Sequence, residues 1–556
     1  MNARWERGLV AAGRFQPAMP ALDSFRQSRV WEAMLLLVGL AVFTVTLGPA
    51  LRESGTPPGW DQSTHLKDSL VFERLYLHPE SMTPDTLRAI LHGSEDYPLL
   101  TPSGYYPPLV PAVTGALYVA AGRSYETAMA TNLIFLGLLL WGVWGLGNHF
   151  AGRPAGVLAA LLVLAAPGIR LAAAEYMLDL PLTCLVMLAC WSCVLTGGFS
   201  IRPRSVLFGI LCGLGMLTKW SFFLFLLAPV AWTLMEGIAA EAGSGGRMAR
   251  WKNLGWALLC AVLVAAPYYA PIFPILIRKT WVHAGGAADG FSSPFSMESA
   301  LFHLIALPRK LLGRPLTAAA AGGILAAIGI RTSARRGVRF LLVWAASLYV
   351  IFTFAIVNKQ SRYLLPWLPV LLTIAALGVL ELFRRQGMAR KAASVLLLVL
   401  ALFGLRGSWY VPPAADWKVS ALVDRLERDL SQRKTPRAVW KLGVIPDMRE
   451  VNGPTLGYYV SRQELPVSVV QLVNRMKQHV SMEVGLDPFG RGDFYQTFDD
   501  YDYLVTKTGN NAVPPWEAVV PRMMEYFQKR RDEFVEVASI DVPDGSEVSL
   551  FRRKER

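Results

Sequence analysis

The sequence predicts a mainly α, polytopic membrane protein with about eleven transmembrane helices, followed by a C-terminal soluble α/β domain. Three observations carry that expectation. Long apolar stretches recur between residues 31 and 408. Arginine clusters alternate with loops poorer in basic residues, which gives each crossing a direction. Only 17% of the 556 residues are charged while 53% are hydrophobic, against roughly a quarter charged in soluble domains.

Taken in order, the segment 1–30 carries Arg4, Arg7, Arg14, Arg26 and Arg29 ahead of an apolar run that starts at Trp31. It lacks an obvious A-x-A cleavage site, so it is expected to stay in the cytoplasm before an uncleaved first span. A spanning helix needs ~20 apolar residues. Runs near that length lie at 31–50, 126–146, 154–169, 178–197, 205–217, 220–236, 253–271, 314–330, 338–357, 363–383 and 391–408. The run 107–121 is apolar but short. If it crossed, every later basic loop would flip outward while the N-terminus stayed inside, so it is expected to lie at or dip into the membrane surface. The same test keeps 205–217 and 220–236 as two crossings.

The net charge of +14 would suit a nucleic-acid binder if it lay on one surface. Much of it sits instead in short runs between spans: Arg202 and Arg204; Arg247, Arg250 and Lys252; Arg331, Arg335, Arg336 and Arg339; Arg384, Arg385, Arg390 and Lys391. That is the positive-inside pattern, and it points away from nucleic acid. Gly243–Gly246 reads as an ordinary cytoplasmic linker. The transmembrane unit is then 31–408, with a first exoplasmic loop at 51–125 and further exoplasmic links at 170–177, 218–219, 272–313 and 358–362. The whole would sit in the cytoplasmic (inner) membrane.

Residues 409–556 are expected to form the exoplasmic α/β domain. Strand-like runs fall at 438–445, 502–507, 534–542 and 547–552, and helical stretches at 416–432 and 515–533. All five cysteines (Cys184, Cys190, Cys193, Cys212 and Cys260) lie in apolar segments, so neither a disulfide framework nor a CxxC metal site is indicated.

On the outer side, charged residues stand at span ends. Asp61 follows Trp60 just beyond the first span, where a carboxylate can serve as a general base; alternatively it caps a helix over 62–76. Asp179 opens the fourth span, where Pro181 and a leading acid also make a good helix start. Glu175 and Arg170 share that short hairpin, and two acids with a base are more than capping requires. Lys359 and Arg362 run against the positive-inside trend. They either snorkel to headgroups or clamp a phosphate, with Lys219 a weaker candidate for the same work. There is no Gly-rich phosphate loop, HExxH or nucleophile elbow, and His65, His92, His283 and His303 show no ligand spacing. No resident cofactor is indicated beyond a divalent cation that Asp61 and Asp179 would suit.

The order of these features resembles the GT-C superfamily of membrane glycosyltransferases, in particular its protein O-mannosyltransferase and aminoarabinose transferase branch. The matching pieces are Trp60-Asp61, Tyr106-Pro107-Pro108-Leu109, Leu178-Asp179-Leu180-Pro181-Leu182, Gly215-Met216-Leu217-Thr218-Lys219 and Lys359-Gln360-Ser361-Arg362-Tyr363-Leu364-Leu365-Pro366, within about residues 30–385. The resemblance implies inverting transfer of a sugar from a polyprenyl-phosphate donor to a protein, glycolipid or glycan acceptor at the outer face. Asp61 would be the base or acceptor-orienting group, and Asp179 the second acid. Lys359 and Arg362 would stand near the leaving phosphate, with Glu175, Tyr106, Arg170 and Lys219 around the substrates. Two departures stand out. Many relatives have Asp-Glu where this chain has Asp61-Gln62, and many have His-Pro-Pro where it has Tyr106-Pro107-Pro108.

A transporter or lipid flippase is the main rival. Such proteins place ionisable groups deep in the membrane, whereas the span centres here are nearly charge-free. A non-catalytic scaffold with a polymer-binding tail would leave the acid and base placement without purpose.

Overall fold

The computed structural model describes residues 22–52, 56–92, 94, 96–102, 106–239, 244–284, 293–330, 332, 334–356, 359–407, 415–433, 437–473, 498–513 and 516–554. The expected cytoplasmic N-terminus up to residue 21, and Gly243 of the linker, lie outside them. Among the described residues, six single helices are long and apolar enough to cross a bilayer: Val30–Leu51, Tyr125–Ala151, Phe222–Ala239, Gly246–Pro274, Arg335–Ala355 and Trp367–Arg384. Two bent pairs raise the number to eight if each is one span: Arg153–Ala165 with Pro167–Ala174, and Met297–Leu311 with Gly313–Ile328. The chain is a multi-pass membrane protein.

The expected eleven spans are therefore corrected to six to eight among the described residues. Asp179–Leu195 has 17 residues and Arg202–Met216 has 15. At a rise of ~1.5 Å per residue both fall short of a ~30 Å hydrocarbon core. Met388–Gly407 is helical, but its side chains are described only to Phe403. The bends have local causes. Pro167 follows Ala166 at a 63° break, and Gly313, at φ +72, opens the limb after a 119° break.

Small residues let the core helices touch. A Cβ on Gly378 would overlap the Gly323 carbonyl, so Gly313–Ile328 and Trp367–Arg384 meet backbone to backbone. A Cβ on Gly209 would likewise strike Ala257, which locks Arg202–Met216 against the long helix Ser244–Ala284. The first span is mostly exposed, with Trp31, Leu37 and Val45 facing outward, as lipid contact requires. Helix Trp60–Leu77 of the first loop packs on Leu109–Ala121, where Gly115 lies against Phe72 and Glu73.

Among the described residues, the C-terminal part forms a five-stranded mixed sheet, β1 (Trp440–Val444), β2 (Val467–Gln471), β3 (Tyr503–Lys507), β4 (Phe534–Asp541) and β5 (Glu547–Arg553), in the order β2-β1-β3-β5-β4. β1 runs parallel to β2 and β3, while β5 is antiparallel to β3 and β4. Helices Val419–Ser431, Gly453–Arg462 and Val519–Lys529 accompany it. The four strand-like runs read from the sequence are strands here. The sequence reading does not include β2 or helix Gly453–Arg462; Val467–Gln471 is only five residues long and is interrupted by polar Ser468 and Gln471.

Candidate active site

Four side chains from separate helix ends meet on one face of the bundle. Asp61 stands in the first turn of Trp60–Leu77, and Asp179 begins Asp179–Leu195. Lys219 lies in the link between Arg202–Met216 and Phe222–Ala239, and Arg362 in the 3-10 turn Ser361–Leu364. Both aspartates sit at helix N-termini, where the helix dipole favours a negative charge. Neither side chain caps its helix: Gly59 and Leu178 hold the cap positions without side-chain bonds.

Arg362 Nη2 donates to Asp61 Oδ2 at 2.9 Å, and its Nε stands 4.0 Å from Asp179 Oδ2. Lys219 Nζ donates to the other Asp179 oxygen at 2.8 Å. The Tyr106 hydroxyl donates to Asp61 Oδ1 at 3.3 Å. Arg362 is braced by Gln360 (2.6 Å) and reaches Met177 Sδ (3.7 Å). Tyr363 lies beneath both cations, its ring 4.9 Å from Lys219 Nζ and 5.8 Å from the guanidinium carbon of Arg362.

Burial pushes the Asp61 carboxyl upward, but the charge and hydrogen bond of Arg362, helped by His65 and Lys219, hold it below the usual aspartate value. Burial lowers Arg362, and the Asp179 and Asp61 charges more than reverse this, so the guanidinium stays protonated. Glu175 is raised by burial against the opposing pull of Arg449 and Arg362. His65 is pushed down to about 4, chiefly by burial, and is neutral near pH 7.

Two expected site residues lie elsewhere. Lys359 is buried and its Nζ donates to the carbonyls of Phe352 (3.3 Å), Thr353 (2.5 Å) and Ile356 (2.9 Å). The end of a helix leaves carbonyls without partners, and Lys359 serves those rather than the carboxylate cluster. Arg170 is placed elsewhere as well. Its guanidinium bonds Thr46 Oγ1 (2.9 Å) and the Thr46 carbonyl, and lies 5.8 Å from the Phe43 ring, pinning the first span. The 63° bend turns its short helix toward that span. Glu175 sits at the rim, 4.0 Å from Arg449.

Some neighbours escaped the sequence reading. His65, 1% exposed and one turn after Asp61, packs its ring edge-on against Tyr106 with centroids 4.6 Å apart. Residues of the C-terminal part also reach the site. Trp60 Nε1 donates to Asp447 at 3.0 Å, Thr455 donates to the Pro58 carbonyl at 3.2 Å, and Arg449 lies so close to Gly59 that a Cβ there would meet its Cγ at 2.8 Å. Nothing local in the sequence marks Asp447 or Arg449. Among the described residues no three His, Cys, Asp or Glu side chains converge on a metal position, and Arg362 already contacts one aspartate and approaches the other.

An apolar cavity of about 830 Å³ opens between Arg202–Met216, Phe222–Ala239 and Ser244–Ala284. Phe208, Phe223, Leu227 and Ala257 line it, and Met216, Trp220 and Tyr269 stand in the same wall. Trp220 directly follows Lys219, so the cavity adjoins the charged cluster.

No family model and no curated protein sequence matches the chain. Solved structures do. ArnT from Cupriavidus metallidurans, bound to undecaprenyl phosphate, aligns over 94% of this chain and 98% of its own, with TM-score 0.59 and 14% identity. Its apo form gives TM-score 0.58 with the same identity and coverage. The apo oligosaccharyltransferase of Archaeoglobus fulgidus aligns over 86% of this chain and 69% of its own, with TM-score 0.54 and 13% identity. This chain has the GT-C fold. At such identity the likeness is one of architecture. The GT-C match to ArnT spans the tail as well as the helices, which extends the similarity beyond the segment that the sequence motifs covered.

Proposed function

We propose that the protein transfers a sugar from a polyprenyl-phosphate donor to an acceptor at the outer membrane face, with inversion at the anomeric carbon. The observation that carries this is the meeting of Asp61, Asp179, Lys219 and Arg362 beside a large apolar cavity. A lipid-linked donor needs both surroundings: hydrocarbon for its tail and fixed cations for its phosphate. ArnT, of the same fold, has been crystallised with undecaprenyl phosphate, which supports a lipid phosphate here.

In this reading the acceptor hydroxyl attacks the anomeric carbon as its proton passes to Asp61, and the bond to the phosphate oxygen breaks in line. One displacement inverts the centre. The departing phosphate takes its negative charge to Arg362 and Lys219, which stabilise it where it develops. Asp179 holds Lys219 in place, and Tyr106 steadies the second oxygen of Asp61. We assign charge neutralisation to these side chains instead of a divalent cation. Transfer that survives chelation fits this; loss on chelation with recovery on adding metal overturns it.

The deciding experiment is mass spectrometry of lipid-linked sugars in cells lacking the protein, followed by transfer from the accumulated donor by purified protein. Absence of any accumulated polyprenyl-phosphate sugar contradicts the proposal. The acceptor is a protein, glycolipid or glycan, and labelled donor sugar appearing in one of these fractions identifies it.

A further inference from the structure

Three hydrogen bonds to backbone carbonyls meet behind the carboxylate cluster. The Tyr268 hydroxyl donates to the Tyr106 carbonyl at 2.8 Å. The Tyr269 hydroxyl donates to the Met216 carbonyl at 2.7 Å. The Leu109 N–H donates to the Leu217 carbonyl at 2.9 Å. Consecutive helical residues project about 100° apart, so adjacent tyrosines on one helix hold two different segments. Their rings pack edge to face, with centroids 5.2 Å apart.

Each held segment leads to one carboxylate. Tyr106 places its own hydroxyl on Asp61, and Leu217 is two residues from Lys219, which bonds Asp179. Tyr269 and Met216 at the same time line the apolar cavity. The supporting turn is short of internal bonds, because Pro267, Pro271 and Pro274 each lack the N–H that a helix would use. The tyrosine hydroxyls therefore set where this part of the helix stands.

Resting on the reading that the cavity holds the donor's lipid, we propose that Tyr268 and Tyr269 are positioning residues that couple tail occupancy to the placement of Asp61. An isoprenoid chain packed against Tyr269 fixes the tyrosine pair. Tyr268 then fixes Tyr106, and Tyr106 fixes the carboxylate. Binding energy from a remote, unreactive part of the substrate is thereby used to order the reacting centre, which raises turnover and not affinity alone.

The test uses the full chain in nanodiscs with undecaprenyl phosphate and geranyl phosphate as probes, read by hydrogen exchange. In the wild type, peptides covering 106–118 gain more protection from the long-chain phosphate than from the short one. Tyr268→Phe keeps the ring and removes the bond, so it loses that extra protection while its affinity for undecaprenyl phosphate changes less than about threefold. Retention of the extra protection by the variant overturns the coupling, as does its absence in a wild type that binds both lipids. Failure of both phosphates to bind overturns the donor reading itself, and the coupling with it. A kinetic arm separates positioning from general damage. Turnover with a long-chain donor falls in Tyr268→Phe to the short-chain value while short-chain turnover is unchanged; an equal fall on both donors refutes the proposal.

Discussion

Arg362 bonds Asp61 at 2.9 Å across 301 positions of sequence, and the same guanidinium approaches Asp179 to 4.0 Å. One cation thus serves two carboxylates carried by two different helices. The pairing explains why the Asp61 carboxyl is held below the usual aspartate value despite partial burial. It also sets up a competition, because a phosphate that needs Arg362 must share it with Asp61.

Asp61→Asn removes the proposed base. Turnover in a purified transfer assay is expected to fall by ~10²–10⁴, the range for loss of a general base. Affinity for undecaprenyl phosphate should hold or rise, since Arg362 loses a competing carboxylate. Turnover close to wild type would rule out Asp61 as the base.

Arg362→Gln tests the cation from two sides. Loss of a charged hydrogen bond of about 1.5–3 kcal/mol raises the donor KM by roughly 10–150-fold, with a smaller change for the acceptor. The pH profile moves as well. As the proposed base, Asp61 would act when ionised, so activity is expected to fall as pH drops through its pKa. With Arg362 gone, burial acts with less opposition, the pKa rises and the acid limb of kcat/KM shifts to higher pH. An unshifted acid limb, or equal loss on donor and acceptor, would mean that Arg362 is structural.

Lys359 is expected to support the fold and not the donor. Lys359→Met strands the carbonyls of Phe352, Thr353 and Ile356. Unfolding of detergent-solubilised protein should show a loss on the order of 1–3 kcal/mol, with the donor KM unchanged in the folded fraction. A large rise in donor KM without destabilisation would restore Lys359 to the phosphate site.

Orientation is testable with single cysteines in a cysteine-free background. His78, just after helix Trp60–Leu77, and Met388, at the start of helix Met388–Gly407, are both well exposed. His78→Cys should react with an impermeant maleimide in intact cells, and Met388→Cys only after permeabilisation. The reverse pattern would place the carboxylate cluster on the cytoplasmic face.

Hydropathy and basic residues made the membrane unit legible, and alternating apolar residues marked four of the five strands. Both signals are local and periodic, so one sequence carries them. Span number was overestimated because hydropathy registers apolar runs without registering that Asp179–Leu195 and Arg202–Met216 are short, or that Gly313 turns the chain sharply. The motifs around Asp61, Asp179, Lys219 and Arg362 could be singled out as charges at the ends of apolar runs. Lys359 and Arg170 have the same appearance, and neither reaches the cluster.

Composition and local patterning are enough to specify the class of solvent this protein folds in, the helical framework and a short roster of charged residues at span ends. Which of those charges face one another is a property of the packed chain. Hydrophobic burial is non-directional and shows directly as composition. An ion pair depends on ångström-scale placement of groups hundreds of residues apart, and that follows from packing: backbone contact at Gly323 and Gly378, the 119° bend at Gly313 and the hydrogen bond that joins Trp60 to Asp447 of the C-terminal part.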